Sequence, residues 1–285
     1  RRQRQMCIRD RPKIESLKNS TMKRRNFIKN TAATSALLSL SGLSLSSFST
    51  VKEKKITILH TNDVHSRLDP FPMDGSRNAG QGGIAARAAL INKIRQEEEH
   101  VLLLDAGDIF QGTPYFNIFK GEPEMKAMQM MGYDAGVMGN HDFDIGLDGF
   151  LQAKIFANFP FLCANYDFSN TILKDQTQAY KIFYKAGLKI GVFGIGIQLD
   201  GLVSADNYGQ TVYLDPMETA NRTARELNEK GCDFIICLSH LGHSYSDAEK
   251  PSDVRLAAEN EHIDLILGGH THTFMEAPSV HRNKQ

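Results

Sequence analysis

The chain has 285 residues, 41% of them apolar and 23% charged, which is enough apolar material for a sizeable buried core and excludes a disordered chain. Its formal net charge of zero hides a division: residues 1–30 carry 11 Lys/Arg against 2 Asp/Glu, leaving 22 against 31 in the remainder. A body that acidic argues against nucleic acid as a partner, and four scattered cysteines, Cys7, Cys163, Cys232 and Cys237, are too few for a disulfide framework.

In chain order, residues 1–21 show no apolar period and precede Met22, so they are read as disordered or as lying upstream of the natural start. From Met22 a basic stretch, Met-Lys-Arg-Arg-Asn-Phe-Ile-Lys, leads into a Ser/Ala/Leu-rich run from Thr31 to about Phe48. Basic residues followed by a modest apolar run are the mark of a secretory signal, here placed at 22–50. Arg24-Arg25 with Phe27 and Ile28 resembles the twin-arginine export signal, which implies a periplasmic or extracellular destination. The run is too rich in Ser and Thr for a stable membrane span of roughly 20 apolar residues.

From Lys55 onward short apolar runs alternate with helical periods. Strands are predicted at Ile56–His60, Val101–Asp105, Asp134–Met138, Phe161–Ala164, Tyr180–Tyr184, Lys189–Ile195, Asp233–Ser239 and Ile263–Leu267. Helices are predicted at Gly83–Glu99, Glu122–Met131, Leu147–Phe156, Pro216–Lys230 and Ser252–Asn260, with Asp215-Pro216 as a capped start. Ser66–Gln81, rich in Pro, Gly and Asp, reads as a surface loop. The alternation predicts an α/β fold with buried strands, and no linker divides residues 55–285, which read as one domain. Cys232 and Cys237 flank an apolar run and read as small buried hydrophobes without a function.

The chemically interesting residues follow predicted strands, the edge where open α/β sheets place ligand sites. Asp63-Val64-His65 follows the first; one carboxylate and one imidazole two residues apart can turn onto one cation. Gly107-Asp108 follows the second, and Gly107 lets the backbone turn sharply and expose a carboxylate with two free oxygens. Gly139-Asn140-His141-Asp142-Phe143-Asp144 follows the third. There Asn140 offers a neutral amide oxygen, while Asp144 can orient His141 and favour its charged form.

Two histidine clusters come later, Ser239-His240-Leu241-Gly242-His243 and Gly268-Gly269-His270-Thr271-His272. The second is expected to place its two imidazoles on alternate sides of an extended segment, one for each of two metals. His243 reads as a neighbour, His60, His100, His262 and His281 as surface or structural residues. Ser239 lacks the glycine pattern of a nucleophile elbow. Each string alone is weak, since such short motifs are common in ordinary polar turns.

Their order is what carries information. Asp-x-His, Gly-Asp, Gly-Asn-His-Asp, a lone strand-end His and Gly-His-x-His, spread from Ile56 to Phe274, resemble the signature of calcineurin-like metallophosphoesterases. His60-Thr61-Asn62-Asp63, Asp105-Ala106-Gly107-Asp108 with Gln111-Gly112, and Gly139 to Asp144 are similar to the 5'-nucleotidase group. That group also contains UDP-sugar hydrolases and 2',3'-cyclic phosphodiesterases.

The resemblance implies a four-layer α/β/β/α sandwich holding two divalent metal ions. Asp63, His65 and His272 would hold one, Asn140, His240 and His270 the other, and Asp108 would bridge them. Ligands of oxygen and nitrogen without thiolate suit Zn, Mn, Fe or Co. The implied reaction is in-line attack on a phosphate ester, most plainly of a nucleotide, by a hydroxide that the metals share, with His141 and Asp144 handling the leaving-group proton.

Long members of the group continue into a nucleotide-gripping domain, whereas this chain stops 13 residues after His272. The metal domain is therefore expected to be truncated at its C-terminus, or to be partnered by a separate nucleotide-binding chain. Alternatives are a broad phosphomonoesterase or phosphodiesterase, a thiosulfohydrolase-like enzyme, or a non-catalytic binding subunit.

Overall fold

Val101–Asp105 is a near-continuous apolar run, as expected of a strand covered on both faces, and in the computed structural model all five residues are buried. The structure describes residues 54–281. The segments expected to be a disordered start and an export signal lie outside the described residues.

Three parallel strands form the first sheet, β1 (Thr57–Thr61), β2 (Val101–Asp105) and β3 (Ala135–Gly136), in that order. The later strands are β4 (Tyr166–Asp167), β5 (Tyr180–Lys185), β6 (Leu188–Ile195), β7 (Val212–Tyr213), β8 (Phe234–Ser239) and β9 (Leu265–Gly268). A second sheet runs β5-β6-β8-β9, parallel except for β5, which turns back against β6 as a hairpin. A small antiparallel ribbon pairs β4 with β7.

Alternate strand residues point to opposite faces, and here they sort into separate cores. Leu102 and Leu104 of β2 join Ile190, Val192, Ile236 and Leu238 from β6 and β8 in a buried layer between the sheets. Leu103 instead joins Ile91, Met125, Met128 and Phe150 from the helices outside the first sheet. On the far side of the second sheet, Phe193, Ile195, Ile235 and Cys237 pack with Met217, Ala220, Ala224 and Leu227. Those last four come from the helix Pro216–Glu229, which starts where Asp215 accepts the Glu218 amide at 2.7 Å. The layers are thus helix, sheet, sheet, helix, the α/β/β/α sandwich that the motif order implied.

The five expected helices appear as Ile84–Glu97, Glu122–Met131, Gly146–Lys154, Pro216–Glu229 and Asp253–Glu259. Two more, Pro114–Phe119 and Ala205–Tyr208, span only six and four residues, too short to show a helical period in sequence.

The strand expected at Asp134–Met138 shrinks to two residues, and the one expected at Phe161–Ala164 belongs to neither sheet. Its backbone is divided between them: Leu162 N–H donates to Gly136 O at 2.7 Å and Ala164 N–H to Gly194 O at 2.8 Å. This crossing is tight. A Cβ on Gly194 would lie 1.8 Å from the Leu162 carbonyl oxygen. Gly194→Ala is therefore expected to cost roughly 3 kcal/mol through overpacking against backbone, read as a lowered denaturant midpoint; an unchanged midpoint would contradict the packing.

Candidate metal centre

In-register pairing sets the ends of five strands side by side. Thr61 pairs with Asp105 and Asp105 with Gly136 in the first sheet, while Ser239 pairs with Gly268 in the second. Within four residues of each strand end come the residues singled out as ligands: Asp63 and His65, Asp108, Asn140, His240, and His270 and His272. The two sheets thus deliver their loops to one edge, as open α/β folds do.

Two groups result. Asp63, His65 and His272 can direct one ligand atom each to a common point, and so can Asp108, His240 and His270. In the first, His65 Nε2 lies 3.1 Å from His272 Nε2, and His272 Nε2 lies 3.3 Å from Asp63 Oδ1. In the second, Asn140 Oδ1 lies 2.8 Å from His270 Nδ1. Asp108 joins them, since its Oδ2 stands 3.8 Å from His65 Nε2 and 3.1 Å from His240 Nε2. Histidines 60, 100, 243, 262 and 281 stand outside both groups, and the His243 N–H donates to Thr271 Oγ1.

Backbone carbonyls fix the imidazoles. A carbonyl only accepts, so His240 Nδ1–H donates to Ala106 O at 2.7 Å and His65 Nδ1–H to Phe110 O at 3.2 Å. Each Nε2 is thereby turned to the centre, and once it carries no proton its lone pair is the one a metal ligand needs. His240 Nε2 is completely buried and has no partner in hydrogen-bond geometry. A buried nitrogen left without a partner costs about 1–3 kcal/mol, and a cation at this point removes that cost. Neither group contains sulfur.

The electrostatics agree. Burial works against the Asp108 charge, but His240 and His65 outweigh it and hold the carboxyl well below the usual carboxylate range. Burial also disfavours a charged His240, yet Asp108 and Asp63 push it up to about 10. The pocket therefore attracts positive charge, and a proton on His240 is the smallest species that meets the demand. Burial keeps His65 and His270 below the ordinary histidine range, His270 at about 4, so both stay neutral donors.

Local backbone carries the strain of this convergence. Asp63, His65, Asp108, His270 and His272 all have positive φ, between 46° and 71°. Non-glycine residues rarely adopt that conformation, and it clusters at functional sites. The expectation that His270 and His272 sit on an extended segment is corrected here: both are left-handed, and two successive turns carry them to different groups. Gly107, with φ 92°, is needed because a Cβ there would meet Gly139 N and His240 Nδ1 at 2.7 Å.

His141 lies beside the groups, its ring centroid 5.3 Å from that of His65. Asp144 Oδ2 is 2.8 Å from His141 Nδ1, and this contact holds the imidazole above its ordinary range despite partial burial. Ser239 gives its hydroxyl to Asp253 at 2.5 Å, so it is a structural residue.

Sequence reasoning gave no role to three fully or nearly buried acids behind the site, Asp105, Asp142 and Asp253. Burial, the largest influence on each, pushes all three up to about 7. Asp142 nevertheless accepts four backbone N–H groups, which occupy all its lone-pair directions and leave no place for a proton. A carboxylate following Asn-His was visible in the sequence, but not that three of its four partners lie more than 30 residues upstream.

Comparison with known proteins places this geometry. The calcineurin-like phosphoesterase family profile matches residues 56–274. A snake venom 5'-nucleotidase of Crotalus adamanteus is 39% identical over 229 residues, covering 78% of this chain and 37% of the relative. A 5'-nucleotidase of Vibrio vulnificus is 36% identical over 276 residues, covering 91% of this chain and 48% of the relative. Among solved structures, a 5'-nucleotidase precursor from Thermus thermophilus superposes with a TM-score of 0.69 at 34% identity, covering 76% of this chain and 42% of that one. The chain spans less than half the length of each of these relatives.

Proposed function

The chain belongs to the calcineurin-like phosphoesterase family, and from that premise we propose that it hydrolyses phosphate esters of nucleotides with the help of two divalent cations. The carrying observation is the Asp108 carboxylate, set between His65 and His240 where one oxygen serves two ligand groups. The 5'-nucleotidase names of its relatives support the substrate class.

Asp63, His65 and His272 would hold one cation and Asn140, His240 and His270 the other, with Asp108 shared. Bound there, the pair supplies Lewis-acid stabilisation of a phosphoryl group and an acidified water. The chain's own groups do the rest. Ala106 O and Phe110 O keep two imidazoles in their ligand tautomer. His141, held at Nδ1 by Asp144, would give its Nε2 proton to the departing ester oxygen, and because water is the attacking group no covalent intermediate on the protein is required. The mixed oxygen and nitrogen donors fit Zn, Mn, Fe or Co.

The basic segment at 22–50, outside the described residues, supports the further reading that the protein is exported by a twin-arginine-like signal into the periplasm or beyond. Among the described residues no helix is long and apolar enough to cross a membrane.

Chelator-stripped protein resupplied with Mn or Zn is expected to release phosphate from nucleoside 5'-monophosphates, and to release none without metal. A panel adding cyclic nucleotides, sugar nucleotides, simple phosphate esters and thiosulfate-type substrates separates the neighbouring activities. Metal-loaded, folded protein inert on all of them would overturn the enzymatic reading in favour of a binding subunit.

A further inference from the structure

The loops bearing Asp108 and Asn140 come from different strand ends, more than 30 residues apart, and the pairing of β2 with β3 ends at Asp105 and Gly136, before either residue. Most of the hydrogen bonds that join them end on one side chain. Asp142 is completely buried, and its Oδ2 accepts Gly139 N–H at 2.8 Å and Asp108 N–H at 3.1 Å. Its Oδ1 accepts Ile109 N–H at 2.9 Å and Phe110 N–H at 3.2 Å. The tie is reciprocal, because His141 N–H donates to Asp108 Oδ1 at 2.8 Å. One carboxylate thus holds the Asp108 backbone, while the Asp108 carboxylate holds the backbone just before Asp142.

The contacts fix more than a loop. Asp108 is in the left-handed region at φ 57°, and three successive amides, 108 to 110, turn toward Asp142. The same turn aims Phe110 O at His65 Nδ1. The Gly139 contact sets the start of the short helical turn Asn140–Phe143, which presents Asn140 and His141. Members of both ligand groups and the proton-handling histidine therefore depend on a residue that touches none of the reacting atoms.

We infer that Asp142 is the positioning residue of the centre, a buried clamp that holds Asp108, Asn140 and His141 in their working arrangement before any cation arrives. The inference rests on the two-cation reading. A carboxylate suits this role because it offers four acceptor sites on a flat fork. Asparagine has the same shape but turns two of them into donors, which would face amide N–H groups. Glutamate keeps the acceptors but adds a methylene to a completely buried position.

The test uses chelator-stripped full-length protein titrated with Mn2+, with binding followed by calorimetry and the coupling of the two ions by electron paramagnetic resonance. Wild type is expected to take up two ions with a spin-coupled signal. Asp142→Asn is expected to lose about 10–100-fold in affinity, the usual effect of disturbing groups behind metal ligands, and to lose the coupled signal. Asp142→Glu should recover part of the affinity. If wild type binds no metal, the two-cation reading itself fails. If wild type binds two ions and folded Asp142→Asn binds them equally tightly and coupled, the clamp is overturned.

Should Asp142→Asn fail to fold, hydrogen exchange on metal-free wild type decides. Amides 108, 109, 110 and 139 are expected to exchange as slowly as strand amides. Exchange at loop rates would show that nothing holds the turn without metal, and would overturn the inference.

Discussion

Asp108→Ala is expected to empty both cation positions together and to lower turnover by about 10³-fold, the scale of losing a preorganised electrostatic group. Any other single ligand belongs to one group. The Asp108 oxygen near both His65 and His240 belongs to two. Its loss also removes the negative charge that offsets three neighbouring imidazoles, so His240, now without its counter-ion, should fall back toward the neutral form. Elemental analysis of the dialysed variant decides the matter: two equivalents of metal retained would show that Asp108 does not join the groups. His272→Ala, by contrast, should empty one position and spare the other, because His272 contacts only the Asp63 and His65 side.

His141→Ala is the second large effect, expected to lower turnover by about 10²–10⁴-fold, the range for a positioned proton donor, while both cations stay bound. His141 is not in either ligand group, so metal content and turnover separate in this variant. The pH profile adds a sign. The hydrogen bond that His141 Nδ1–H donates to Asp144 raises His141 above its ordinary range, and activity that needs its proton is lost as pH rises through that raised value. Asp144→Asn removes the main cause of the raise, so the alkaline limb should move to lower pH. A limb that stays in place, or a His141→Ala enzyme with full turnover, would remove the proton-donor role.

Much of this was legible in the sequence because it is local. Apolar runs ending in short polar strings reveal strand ends, and the order of the strings, Asp63 to His272, restricts the family far more than any one of them. Helix limits came within two residues at either end, helped by readable starts such as Asp215-Pro216. What escaped was set by contacts distant in sequence. Phe161–Ala164 has the composition of a strand but spends its hydrogen bonds on two different sheets. Asp142 looks like any carboxylate in a polar turn until amides 108 to 110 are seen converging on it. The left-handed conformations of His270 and His272 have no residue-type signal, since a histidine after glycines is equally at home in an extended segment.

Those left-handed turns have a consequence for the life of the protein. Five ligand-bearing residues held there at roughly 1 kcal/mol each amount to about 5 kcal/mol of strain. That is comparable with the whole net stability of many domains. A cation bound at 100 times its Kd returns about 2.7 kcal/mol per site. The melting temperature of this chain is therefore expected to climb with the free concentration of its cations, so that a thermal scan in graded metal reads their supply.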